Sequence, residues 1–211
     1  MQIDLIFGLL ILIVSVILHE VAHGYMANWL GDPTARLAGR LTLNPLVHID
    51  PMGSIILPAL LVFTHSPLLI GYAKPVPYNP HNLPGKYDEG LVAGAGPATN
   101  ILLALLFAAL IRFGGSAITP ALLSAFSTIV YINMLLALFN LIPVPPLDGS
   151  KVLSAILPGA LGRAYESFRI RFERIGVLSG TLLILIIFYF LLPSFSTLLV
   201  GLFSLLTGIA V

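Results

Sequence analysis

Apolar residues run through this chain in long blocks, not in alternation. Five blocks are strong, at residues 5–30, 53–70, 91–113, 121–142 and 176–192, and a weaker sixth covers 197–211. A helix rising 1.5 Å per residue needs about 20 apolar residues to cross a hydrocarbon core of roughly 30 Å. Polar connections at 31–52, 71–90, 114–120 and 143–175 join the blocks, and no soluble domain interrupts them. The pattern predicts an all-α polytopic membrane protein, a bundle of about five to six transmembrane helices. It reads as one membrane-embedded domain over 1–211, with a core at 5–157 and C-terminal helices at 176–211.

Two stretches break the simple pattern. In 36–44, Leu37, Leu41 and Leu43 fall on odd positions, the period of a half-buried strand, so a short β-hairpin is expected near there. An amphipathic loop on the membrane surface fits the same residues. The first block, Leu5–Leu18, lacks a basic leader and a small-residue cleavage site, and is expected to stay as a membrane helix.

Composition supports lipid as the solvent: 58% of residues are hydrophobic and 9% charged, against roughly a quarter charged in soluble domains. A net charge of +1 gives no field that would favour nucleic acid as a partner. The chain has no cysteine, which excludes disulfides, thiolate ligands and a cysteine nucleophile. A metal here must take His, Asp or Glu.

His19-Glu20-Val21-Ala22-His23 is an HExxH sequence near the end of the first block. One helical turn separates the two histidines, so both imidazoles can reach a single zinc ion, with Glu20 able to act as general base on its water. The bland alternative is chance. Against it, each ionisable group at bilayer depth costs on the order of 2.5–3.5 kcal/mol, and a metal is the natural compensation for three within five residues.

A catalytic zinc needs a third protein ligand. Most carboxylates sit in or beside polar connections. Asp148 differs, because it follows Pro143-Val144-Pro145-Pro146-Leu147, and broken backbone at membrane depth survives only where it is buried in protein or lines a wet cavity. A helix N-cap ahead of Ser150–Leu157 is the other role open to it. His48, His65 and His81 read as loop histidines, with His48 close enough in sequence to serve as a gate. Asn100 and Asn140 flank apolar helices, where interhelical hydrogen bonding is common.

HExxH in one apolar helix, followed by Asn140-Leu141-Ile142-Pro143-Val144-Pro145-Pro146-Leu147-Asp148-Gly149 after a later one, resembles the site-2 protease family of intramembrane zinc metalloproteases. Gly96-Pro97-Ala98-Thr99-Asn100 resembles the GPxxN segment that opens the family's central helix. The resemblance implies zinc, one per chain, held by His19, His23 and Asp148, with Glu20 as the base and with Asn100 and Asn140 in contact with substrate. It implies a prokaryotic cell membrane, an active site toward the cytoplasm, and a membrane protein with a transmembrane segment as substrate. No PDZ or CBS domain is visible, as in the small branch of the family, and 53–70 is an extra apolar stretch.

Five straight crossings would put the ends of the first and fourth blocks on opposite faces, so Asp148 could not meet His19 and His23. A re-entrant 53–70 segment, bending at Pro58 and Pro67, repairs the parity. With the N-terminus outside, nine of the ten basic residues then lie in the cytoplasm, all but Arg112. His19 stands 15 residues after Asp4, roughly 22 Å along the helix, in the cytoplasmic half of the bilayer. The expected chemistry is hydrolysis of a peptide bond in an unwound substrate segment paired to the 36–44 edge. A metal or proton transporter using the same side chains is the rival from another class.

Overall fold

The computed structural model describes residues 2–56, 63, 73–174 and 193–209. Its helices are α1 (Gln2–Trp29), the single turn α2 (Thr34–Leu37), α3 (Asp88–Phe113), α4 (Pro120–Asn140), α5 (Asp148–Ile156), α6 (Gly159–Arg174) and α7 (Pro193–Thr207). The chain chemistry explains the ends of these elements. Asp88 and Glu89 in the first turn of α3 and Arg112 in its last turn complement the helix dipole. Thr119 caps α4 by accepting a bond from Leu122 N, with Pro120 at the first helical position.

Among the described residues, three helices are long and apolar enough to cross a membrane: α1 over Ile6–Trp29, α3 and α4. Their outer faces expose Leu9, Leu10, Ile13, Leu102, Leu106, Leu110 and Leu122. In water such a surface would be an aggregation liability, whereas hydrocarbon matches it. The central helix α3 packs against both α1 and α4, which also touch each other, and α5 lies against its N-terminal half. Ala104 and Ala108, one turn apart, let α3 approach Val130 and Met134 of α4 and Leu199 and Phe203 of α7 closely.

Several expectations change. Among the described residues there is no strand, and the hairpin near 36–44 is replaced by α2 followed by turns. Leu37 N and Ala38 N bond back to Pro33 O and Thr34 O, so local helical bonds satisfy the backbone before a ladder can form. Leu37 and Leu43 are exposed while Arg40, at an even position, is buried, the reverse of what strand alternation requires. The central helix begins at Asp88, two turns before Gly96-Pro97, so the GPxxN residues lie within it and do not open it.

The re-entrant segment at 53–70 falls mostly outside the described residues, as does the block at 176–192. The flanks of the former are described: Lys74 N donates to His48 O at 2.9 Å, so the chain leaves and returns at one place. Of the weak 197–211 block, the described residues lie mostly in α7, Pro193–Thr207.

Candidate metal centre

The site lies where the C-terminal half of α1, the N-terminal half of α3 and the start of α5 meet. His19 and His23 project from one face of α1, their rings edge to face with centroids 4.6 Å apart. Asp148 arrives from the segment that follows α4. The proline-rich 141–147 segment ends α4 and folds back tightly enough that any Cβ at Gly149 would fall on the Leu141 and Ile142 carbonyl oxygens. That return brings Asp148 Oδ2 to 3.1 Å from His19 Nε2 and 3.4 Å from His23 Nε2. Asp148 is the first residue of α5, and the N-cap position belongs to Leu147, with no side-chain cap bond. Its carboxylate is thus turned to the histidines and not to the helix end.

The proton on each imidazole is fixed from behind. His23 Nδ1 lies 2.7 Å from Val92 O, and a carbonyl can only accept, so Nδ1 carries the hydrogen and Nε2 keeps its lone pair. His19 Nδ1 lies 2.6 Å from Asn100 Oδ1. Asn100 Nδ2 donates to Ser15 O at 3.4 Å and to Asn133 Oδ1 at 2.8 Å. Asn133 Nδ2 in turn donates to Ile129 O at 2.9 Å and Ser15 Oγ at 3.0 Å. The two acceptor-only carbonyls orient both amides, so His19 also presents its Nε2 lone pair. Ser15, Asn100 and Asn133 are buried, and every amide atom of the network has a partner, as an apolar surrounding demands.

Three electron-pair donors therefore converge: His19 Nε2, His23 Nε2 and a carboxylate oxygen of Asp148, all within 4.8 Å of one another. With both imidazoles neutral and Nδ1-protonated these lone pairs repel, so the arrangement calls for positive charge among them, a proton or a metal ion. Zinc bonds of about 2.0–2.2 Å in a tetrahedron place neighbouring ligands about 3.3–3.6 Å apart, close to the two His–Asp separations found. Gly96 completes the cradle. A Cβ there would stand 2.5 Å from His23 Nε2 and 2.6 Å from His19 Nε2, so only glycine leaves the space these atoms face. Two imidazoles and one carboxylate fit a catalytic zinc.

Comparison with known proteins agrees with this chemistry. Residues 111–187, which include Asp148, match the family described as Peptidase family M50. A Bacillus subtilis protein named "Putative zinc metalloprotease YwhC" is 39% identical over 155 residues, 70% of this chain and 67% of the relative. The chain belongs to peptidase family M50. A Mycolicibacterium smegmatis relative, "Putative zinc metalloprotease Rip2", is 31% identical over 152 residues, 72% of this chain and 58% of its own length. The chain thus spans about two thirds of the first relative and under two thirds of the second. A Methanocaldococcus jannaschii relative, "Putative zinc metalloprotease MJ0611", is 39% identical over 66 residues, 31% of this chain and 34% of its own. No solved structure matches. By family the protein is a zinc metalloprotease, and its apolar helices agree with membrane residence.

Other residues of this M50 peptidase fall into place around the centre. Glu20 is partly exposed, and its Oε2 accepts a bond from Val76 N at 2.9 Å. Asn100 has no exposed surface and sits behind His19, so a substrate would not meet its amide. Asn140 Nδ2 donates to its own helix at Leu136 O. His48 is buried outside the metal cluster, with Nε2 bonded to Thr42 O at 2.8 Å, and its place is that of a loop staple. Ser15, Asn133, Val92 and Val76 act here without having been singled out in the sequence. Asn133 carried a signal, an amide within an apolar helix; the two backbone contacts, Val92 O and Val76 N, carry none.

Proposed function

We propose that this protein is a zinc-dependent endopeptidase cutting peptide bonds in or near transmembrane segments of other membrane proteins. The observation that carries the reading is the convergence of His19, His23 and Asp148 between helices long enough to cross a bilayer, with Glu20 beside them. One zinc per chain would be held by those three side chains, and when bound it supplies a Lewis acid and lowers the pKa of its water toward about 7. Glu20 takes the proton from the attacking water and returns it to the leaving amine. Asn100 and Val92 O keep the imidazoles in the tautomers that leave Nε2 free. Asp148, with a side chain 17% exposed, marks the side from which water enters. The basic loops favour a cell membrane with that side toward the cytoplasm, and the substrate must unwind locally to present its carbonyl.

Glu20→Gln tests this directly. The variant should bind zinc as wild type does, since Glu20 lies outside the ligand set, while uncleaved membrane proteins accumulate in cells that carry it. A membrane proteome identical to that of wild-type cells, or altered zinc flux with no change in cleavage products, would overturn the reading in favour of a transport site.

A further inference from the structure

Residues 73–79 form a strap pinned to α1 and its neighbouring turns at both ends. At one end Lys74 N donates to His48 O at 2.9 Å, and the buried Arg40 donates from Nη2 to Lys74 O at 2.7 Å. At the other, Asn79 N donates to Asp32 Oδ2 at 2.6 Å. Asp32 is fully buried and also accepts from Asn82 Nδ2 and from Thr34. Between the pins Val76 is buried in a niche opened by Gly24, where a Cβ would come within 2.8 Å of Val76 Cγ1 and 2.6 Å of Leu41 Cδ2. Gly24 adjoins His23, so the niche lies beside the metal centre.

The strap's sequence is selective about donors. Pro75 and Pro77 have no N–H, which leaves Val76 as the sole main-chain donor of residues 75–77. That one N–H is directed at Glu20 Oε2, 2.9 Å away. A glutamate has three freely turning side-chain bonds, and a base must be held to within about 0.5 Å of its productive place. A rigid N–H on one oxygen provides that restraint and leaves the other oxygen available.

We propose that the strap is a positioning element for the catalytic base, with the Val76 N–H fixing the Glu20 carboxylate and the Arg40 and Asp32 pins fixing Val76. The inference rests on Glu20 acting as the base, and it deepens that reading. It makes Pro75-Val76-Pro77 part of the active site although no side chain of the strap takes part in the chemistry.

Two measurements test it. Valine 76 is replaced by its α-hydroxy acid analogue through nonsense suppression, which turns one amide into an ester and deletes only the N–H. Cleavage of β-casein in detergent should then fall on the order of ten- to a hundredfold in kcat, with KM within about twofold and zinc content and melting temperature unchanged. Separately, with 15N-valine labelling, Glu20→Ala should move the Val76 amide proton upfield and speed its exchange. An ester protein with wild-type kcat, or a Val76 resonance indifferent to Glu20→Ala, overturns the proposal. Wild-type protein that leaves β-casein intact while the resonance does move upholds the contact and counts against the peptidase reading instead.

Discussion

Gly96→Ala isolates the fit between the central helix and the metal ligands. The added Cβ would stand 2.5 Å from His23 Nε2 and 2.6 Å from His19 Nε2, whereas at Gly94, half a turn away, the nearest atom is Val152 Cγ2 at 3.7 Å. An ordinary contact needs about 3.4 Å, so at position 96 the imidazoles must retreat by roughly 0.9 Å, several times the about 0.2 Å tolerance on zinc–ligand distances. Loss of an orienting partner alone costs about 10–100-fold in metal affinity, and displacing both ligands should cost at least that. Helix propensity works the other way, because alanine is favoured over glycine by roughly 0.5–1 kcal/mol. Stripped of metal, the variant should therefore melt in detergent no lower than wild type. The assay is zinc stoichiometry by elemental analysis across a chelator series, with Gly94→Ala as the paired control. Wild-type zinc affinity in Gly96→Ala would refute the close approach of this glycine to the two Nε2 atoms.

Asp148→Asn should leave metal-free melting nearly unchanged, since Asp148 makes no cap bond, while zinc content and proteolysis drop severely, because a neutral amide is a poor zinc ligand; zinc bound at the wild-type level would move the third ligand elsewhere. Asn100→Ala removes the acceptor from His19 Nδ1 and the donor to Asn133 Oδ1, leaving buried polar atoms unpaired at about 1–3 kcal/mol. It should lower both the melting temperature and, by about 10–100-fold, zinc affinity, and an effect on stability alone would deny it the orienting role. For Asp32, burial raises the carboxyl pKa, but the bonds from Thr34, Asn82 and Asn79 outweigh it and hold it below the ordinary 3.8. A depressed pKa gives stability that is present above the unfolded value and lost as pH falls through the folded one. The melting gap between wild type and Asp32→Asn should thus be constant from pH 7 to about 5 and close below about 4, and a gap that closes between pH 7 and 5 would contradict the assignment.

Much of the centre was legible because its determinants are local or chemical. His19 and His23 share a face by virtue of i, i+4 spacing alone, and apolar blocks of membrane length announce α1, α3 and α4 without reference to anything they touch. Asp148 stood out because proline-broken backbone beside an apolar helix needs a reason to exist. The Lys74 N to His48 O bond holds the two described flanks of the 53–70 block together.

What the tertiary structure alone decided is which surfaces meet. Leu37, Leu41 and Leu43 suit a strand or a turn equally, and the choice fell to local helical bonds and to the niche at Gly24 that receives Leu41 and Val76. Asn100 looked like a residue that could face substrate, yet it faces His19, because Ser15 and Asn133, 85 and 33 residues away, take its amide. Val76 could not be chosen from its side chain at all, since its contribution is a backbone N–H common to every residue but proline. A one-dimensional pattern records the periodicity of each helix face and the chemistry of each side chain. The rotation of one helix against the next, which sets what lies opposite, is fixed only when all the buried polar atoms find partners at once.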